Sequence, residues 1–210
     1  MGMLALLLLS RPVQAELYVA GQVGAHMPND ASNVTWSGSG ALFSGSDLSR
    51  QTSLMYGAKL GYYFDQLKFG KFNLGVETEV FNATPHFQQQ GATIGSLSGI
   101  LLGLRNRVLT WAPVVVLVRY QAGAFEPYAG VGLGVFFSNL ETRSQSDAST
   151  HVGLNTQVGI RYRVNQHLSV FTEWKYNYAN IEHDNIAGSA LSMSYDYNAH
   201  IVAGGIGYHF

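Results

Sequence analysis

The sequence predicts an all-β fold, an eight-stranded antiparallel up-and-down barrel that crosses a lipid bilayer. Three observations predict it: a composition poor in charge and rich in glycine, a period-two alternation repeated along the chain, and connections alternating between short and long. Only 12% of the 210 residues are charged, where a soluble domain carries about 25%. Glycine reaches 24 residues and aromatic side chains 12% of the chain. Beyond the N-terminus no run approaches the roughly 18 apolar residues that a transmembrane helix needs, so any crossing falls to strands. The net charge of −1 gives no reason to expect nucleic acid as a partner. The absence of cysteine excludes disulfides, thiol chemistry and a lipid-modified N-terminal cysteine.

Residues 1–15 read as an export signal. Met3 to Leu9 is a continuous apolar run too short to span a bilayer, Ser10, Arg11 and Pro12 break it, and Val13-Gln14-Ala15 fits a signal-peptidase site. Met1-Gly2-Met3 lacks the usual basic residue, which leaves the start of the chain open. The expected organisation is a signal peptide over 1–15 and one barrel domain over 16–210, mature from about Glu16.

The strands follow in order, each with two faces that alternate. The first sets Leu17, Val19, Val23 and Ala25 against Tyr18, Ala20, Gln22 and Gly24. The second sets Leu54, Tyr56, Ala58, Leu60, Tyr62 and Phe64 against Ser53, Met55, Gly57, Lys59 and Gly61. In the third, Phe72, Leu74, Val76, Thr78 and Val80 oppose Asn73, Gly75, Glu77 and Glu79. The fourth is irregular: Val114 to Val118 is apolar on both faces, and Pro113 stands where a closed barrel has no free edge. A bulge, or a strand that starts at Pro113, would each reconcile this. The fifth is the clearest, with Ala129, Val131, Leu133, Val135 and Phe137 against Tyr128, Gly130, Gly132, Gly134 and Phe136. The sixth sets Val152, Leu154, Val158, Ile160 and Tyr162 against Gly153, Asn155, Gln157, Arg161 and Arg163. The seventh sets Leu168, Val170, Thr172, Trp174, Tyr176 and Tyr178 against Ser169, Glu173, Lys175 and Asn177. The eighth runs from about Tyr197 to Phe210, with Val202, Ile206, Tyr208 and Phe210 on one face.

Asp65–Lys71, Gln121–Glu126 and Asn165–His167 are short connections. Pro28–Gln51, Asn82–Arg107, Ser138–His151 and Glu182–Asp196 are long and polar. Four long and three short connections join eight strands with both termini on the short-turn side, the arrangement of a membrane barrel with short periplasmic turns. A soluble sandwich would carry its apolar face inward and an average charge. Here an apolar face recurs in nearly every strand opposite Gly, Asn, Gln, Glu, Lys and Arg, the inversion that lipid imposes.

The C-terminus carries a family pattern. Gly205, Tyr208 and the terminal Phe210 resemble the assembly signal of outer-membrane barrels, with Ala203 where that signal usually has a polar residue. Together with Glu173-Trp174-Lys175-Tyr176 and Pro127-Tyr128-Ala129-Gly130-Val131-Gly132, the mature chain resembles the small eight-stranded outer-membrane β-barrels, opacity-protein-, OmpA- and OmpW-like. The resemblance implies the bacterial outer membrane as location and recognition of Tyr208 and Phe210 by the barrel-assembly machinery. It brings no activity, because the family shares a scaffold and not one chemistry.

Lys59, Glu77, Glu79, Arg161, Arg163, Glu173 and Lys175 have inward parity. An eight-stranded lumen is just filled by side chains, so these charges are expected to neutralise one another as a salt-bridge plug. Tyr62, Phe64, Phe69, Phe72, Tyr162, Tyr208 and Phe210 at one rim, and Tyr176, Tyr178 and Phe137 at the other, are expected girdle positions. Trp36 and Phe43 are loop aromatics suited to stacking on a ligand. His151 and His183 form the one constellation with a hint of chemistry, with Asp147, Ser149 and Asp184 nearby in sequence; such a set suits a divalent metal or an activated serine.

The expected function is non-enzymatic, without cofactor, catalytic residue or metal. Surface-exposed loops would serve membrane integrity, surface interaction or adhesion. Expected partners are outer-membrane lipids including lipopolysaccharide, the barrel-assembly machinery and an extracellular ligand held by the loops. One alternative is a channel or carrier for small hydrophobic molecules; another is a lipid-modifying barrel enzyme using His151 or His183. Val131→Arg is expected to be costly, and the inward Asn155→Ser mild.

Overall fold

A chain whose segments alternate apolar and polar faces buries its backbone in lipid only if every strand finds a neighbour on both sides. In the computed structural model, which describes residues 16–30, 32–38, 41–44, 51–84, 90–94, 97–101, 105–141, 146–183 and 192–210, the sheet closes on itself. The strands are β1 (Glu16–Pro28), β2 (Ser32–Gly38), β3 (Ala41–Ser44), β4 (Ser53–Phe69), β5 (Phe72–Ala83), β6 (Gln90–Ile94), β7 (Leu97–Leu101), β8 (Arg105–Tyr120), β9 (Phe125–Glu141), β10 (Ser146–Arg163), β11 (Leu168–His183) and β12 (Ser192–His209). Eight of them run β1-β4-β5-β8-β9-β10-β11-β12, and β1 pairs back onto β12 to complete the barrel. The expected export signal at 1–15 lies outside the described residues.

Parity is the main device of the fold. Leu54, Leu133, Val152 and Ile206 stand on the outside, each about 60% exposed, as lipid-facing residues must. Tyr18, Gln22, Lys59, Glu77, Asn155 and Lys175 point to the lumen and are buried. At the short-turn rim the rings pair off: Tyr62 with Phe64, Phe72 with Tyr120, Phe125 with Tyr162, and Tyr208 with Phe210, with centroids 4.9–5.1 Å apart. At the other rim Trp174 and Tyr176 both lie against the imidazole of His200. The turns at Gly70 and Gly123 use φ of 65° and 70°, a conformation open to glycine at no steric cost.

The fourth barrel strand resolves through a bulge. β8 pairs Glu77 with Val115 but Glu79 with Ala112, and Trp111 with Val135 but Val114 with Leu133. One extra residue therefore sits at Ala112–Pro113 on both sides of the strand, and parity flips across it. Val108, Thr110 and Ala112 face inward before it; Val115, Leu117 and Arg119 face inward after it. On the lipid side, the Thr78 hydroxyl donates to the Ala112 carbonyl at 3.1 Å and receives the Trp111 indole N–H at 3.2 Å. Two polar groups in the apolar face thus complete the bonding that the bulge disrupts.

The strands reach further than expected. The connection that reads as a loop over Ser138–His151 is largely ladder, because β9 and β10 stay paired out to Glu141 and Ser146. A membrane strand needs only about 9–11 residues, so this hairpin stands above the bilayer. The first long connection folds into the β2–β3 hairpin, and β2 pairs with the outer end of β12. The second contains the β6–β7 hairpin, a separate two-stranded sheet.

Candidate functional site

The lumen is the chemically dense part of the molecule, and it is filled in two tiers. Near mid-height, Lys59 from β4 and Lys175 from β11 meet three glutamates. Lys59 Nζ lies 2.8 Å from Glu173, 3.1 Å from Glu77 and 3.6 Å from Glu79. Lys175 Nζ contacts Glu79 and lies 3.1 Å from Glu173. Neutral side chains complete the coordination. Gln157 donates to Glu77 at 2.8 Å while its oxygen accepts from both lysines. Asn155 and Gln22 donate to Glu79 at 2.8 and 3.2 Å. Tyr18 donates to Glu77, and Tyr128 to Glu173 at 2.7 Å.

The second tier closes the short-turn mouth. Glu16, the first residue of β1, receives Arg119 and Arg163. Glu126 takes the same two guanidiniums from the other side, at 3.2 and 3.3 Å. Between the tiers, the Arg161 guanidinium lies 4.3 Å from the ring centroid of Tyr18, 5.4 Å from that of Tyr128 and 5.7 Å from that of Tyr63, an aromatic cage for a buried cation. Glu16, Glu77, Glu79, Glu126 and Glu173 balance Lys59, Arg119, Arg161, Arg163 and Lys175. Five and five leaves these two tiers neutral, as a low-dielectric interior requires.

All seven charges of inward parity stand in this network; Lys59, Glu77, Glu79, Arg161, Glu173 and Lys175 are buried, and Arg163 is part-exposed at the mouth. Arg119, Glu126 and Glu16 complete it beyond the seven charges that the sequence pattern picks out. Arg119 lies beyond the bulge, Glu126 falls in a segment that reads as a turn, and Glu16 acts only once β1 meets β12. Asn155 is fully buried and donates to Glu79, so Asn155→Ser is expected to cost more than its inward parity alone suggests.

The mouth also aligns Ser169, His209 and Glu16. Ser169 Oγ lies 2.8 Å from His209 Nε2, and His209 Nδ1 lies 2.8 Å from Glu16 Oε1. The order is that of a nucleophile–base–carboxylate relay. Ser169 has no solvent exposure, however, and Glu16 is already shared by two guanidiniums.

Above the charge tiers the lumen mixes apolar side chains with neutral polar ones. Met55, Phe81, Ala83, Ile201 and Ala203 pack together, and His26 bonds the Tyr197 hydroxyl at 2.7 Å. At this end the wall changes. The β10–β11 ladder stops at Gly153↔Ala179, although β10 continues to Ser146 on β9 and β11 continues to His183 on β12. His151 stands in that seam, with Nε2 3.1 Å from the Glu182 carbonyl oxygen and 3.3 Å from its backbone nitrogen.

His183 lies opposite Met193 in the β11–β12 ladder, and Asp184 lies outside the described residues. Asp147 and Ser149 are paired along β9 with Leu140 and Ser138. Among the described residues no three His, Cys, Asp or Glu side chains group to hold a metal. Trp36 and Phe43 oppose one another in the β2–β3 ladder. Of the C-terminal pattern, Tyr208 and Phe210 are exposed on the lipid side; a Cβ on Gly205 would run into the Phe171 ring and the Gly21 carbonyl.

Comparison with known proteins places this geometry. The family model described as outer membrane protein beta-barrel domain matches residues 1–210. The uncharacterized outer-membrane protein y4mB of Sinorhizobium fredii is 27% identical over 183 residues, covering 79% of this chain and 70% of that one. Among solved structures, OprG from Pseudomonas aeruginosa superposes with a TM-score of 0.61 at 18% identity, covering 94% of this chain and 97% of its own. The Neisserial surface protein A gives 0.50 at 12% identity, with coverage of 92% and 97%. At such identities the likeness to the solved structures is one of fold. A closed eight-stranded wall with an apolar exterior and a match along its whole length make this chain a member of the outer membrane protein beta-barrel domain family, located in the outer membrane.

Proposed function

We propose that this is a non-enzymatic outer-membrane barrel whose lumen is sealed and whose role is presented by its extracellular strands and hairpins. The role would be membrane integrity, surface interaction or adhesion. The single observation behind the reading is the neutral two-tier plug, which draws residues from β1, β4, β5, β8, β9, β10 and β11 and leaves its charged groups buried or bonded. The test is conductance of the purified protein in planar bilayers. The wild type is expected to give no ohmic current, whereas Lys175→Met with Glu79→Gln loosens the plug and raises leak; steady wild-type channels would overturn the reading. Replacing the β2–β3 hairpin by a short turn is expected to abolish surface binding while the barrel still folds.

A second reading, carriage of small hydrophobic molecules by a lateral route, is favoured by the open seam between β10 and β11. Val152 and Asn180 flank that seam. A Val152→Cys, Asn180→Cys pair in this cysteine-free chain would lock it. Loss of hydrophobic dye uptake on oxidation, with recovery on reduction, would favour the carrier; uptake independent of the lock would exclude it.

The lipid-modifying alternative rests on His151 and His183, or on Ser169 with His209. Mass spectrometry of outer-membrane lipids from cells with and without the protein, and labelling of Ser169 by a fluorophosphonate, decide it. Unchanged lipids and an unlabelled serine are expected. The C-terminal Gly205, Tyr208 and Phe210 would serve recognition by the barrel-assembly machinery. Phe210→Ala is then expected to lower the amount of folded barrel in cells without changing the stability of the refolded protein.

A further inference from the structure

Arg107 is a cation that the lumen does not use. It lies on the outward parity of β8, two residues beyond Leu109, and is exposed. From Tyr120 at the short-turn girdle to Leu109, the outward residues of β8 are apolar or aromatic. That stretch is about ten ladder steps after the bulge is discounted; at ~3.3 Å per residue and a tilt near ~40° it spans ~25 Å, the height of a barrel's apolar band. Arg107 therefore stands at the headgroup level of the outer leaflet.

The guanidinium is held there by a built arrangement. Arg107 Nε donates to Asn82 Oδ1 at 2.8 Å, and Asn82 Nδ2 donates to the Tyr56 hydroxyl at 3.2 Å. Asn82 and Tyr56 are register partners on β5 and β4, so three adjacent strands contribute. Asn82 has lipid-facing parity yet is only 6% exposed; it is spent on fixing the arginine. The two terminal amino groups of Arg107 bond to no other described residue. Its ladder neighbour on β9 is the neutral Asn139, whereas Arg105, further out along β8, is the register partner of Glu141. A fork of donors without a carboxylate in its register, tethered at headgroup depth, suits bidentate recognition of a phosphate.

We infer that Tyr56, Asn82 and Arg107 form a site for the phosphate of an outer-leaflet lipid, lipid A being the phosphorylated lipid it would meet. Arg107 binds the phosphate, Asn82 positions the guanidinium, and Tyr56 anchors Asn82 at the interface. The site rests on the outer-membrane location alone and is independent of whether the barrel is passive, a carrier or an enzyme.

The test is native mass spectrometry of the folded full-length barrel titrated with bisphosphorylated lipid A and, in parallel, with its dephosphorylated form. Wild-type protein is expected to prefer the phosphorylated lipid, and Arg107→Gln to bind it about ten-fold less, the scale of losing a charge-assisted hydrogen bond. Arg107→Lys retains part of the preference, and Asn82→Ala loses part of it with Arg107 still present. Lys71→Gln at the opposite rim serves as control and leaves binding unchanged. Equal affinity for the two lipids, or Arg107→Gln binding like wild type, overturns the inference. So does displacement of the lipid by inorganic phosphate in hundred-fold excess, which would make the site a general anion site. An unchanged far-ultraviolet strand signal in each variant excludes misfolding as the cause.

Discussion

The ring of Tyr128 stands over Gly159, with its Cζ 2.7 Å from where a Cβ on that glycine would lie, while its hydroxyl donates to Glu173 at 2.7 Å. The glycine thus gives the tyrosine a seat on the inner wall from which it reaches the plug. Tyr18 over Gly61 and Phe171 over Gly205 repeat the arrangement. Overpacking such a seat costs about 1–3 kcal/mol. Gly159→Ala is expected to lower stability by that amount in urea titrations of the vesicle-inserted barrel. Gly21, where an added Cβ would meet nothing within 4 Å, is expected to tolerate alanine with no loss.

Thr78 is expected to matter through its hydroxyl. Thr78→Val leaves the Ala112 carbonyl and the Trp111 indole without their partner in lipid, at a cost of about 1–3 kcal/mol. Thr78→Ser keeps the bonds and should lose far less. Equal losses in the two variants would show that shape, not bonding, decides at this site.

Removing one member of the plug strands the others. Lys175→Met leaves Glu79 and Glu173 short of a partner, and breaking a buried pair in this way costs about 3–5 kcal/mol. Adding Glu79→Gln to Lys175→Met is expected to recover part of that loss. A double variant less stable than the single one by the same unfolding titration would contradict the network described above.

The two faces of the wall are expected to respond by different mechanisms. Val131→Arg puts a charge on the lipid face, at about 2–4 kcal/mol near the midplane. Asn155→Ser removes a donor from Glu79, and its expected cost is about 1–3 kcal/mol. Refolding yield in thin and thick bilayers separates them: only the lipid-face variant should depend on bilayer thickness.

Fold and lumen are legible in the sequence wherever lipid enforces alternation without a break, as from Tyr128 to Phe137. Legibility fails in four places. The extra residue at Ala112–Pro113 reverses parity and hides Arg119. From Ser138 to Glu141 the ladder continues above the membrane, where no lipid selects apolar residues, so a strand reads as a loop. Ser169, His209 and Glu16 meet only because the first and last strands close the barrel, and no local spacing encodes that meeting. Arg107 and Asn82 fall at the boundary of a connection that reads as loop, so their shared role requires the register.

The balance of charges in the lumen is a property of the closed ring and of no part of it. Of the luminal charges, the β4–β5 hairpin contributes Lys59, Glu77 and Glu79, an excess of one negative charge; the β10–β11 hairpin contributes Arg161, Arg163, Glu173 and Lys175, an excess of two positive charges. A hairpin entering hydrocarbon alone would expose that excess at about 2.5–3.5 kcal/mol per charge by insertion scales. Threading either of these two hairpins through the bilayer alone is therefore uphill, whereas in the closed cylinder their ions are already matched.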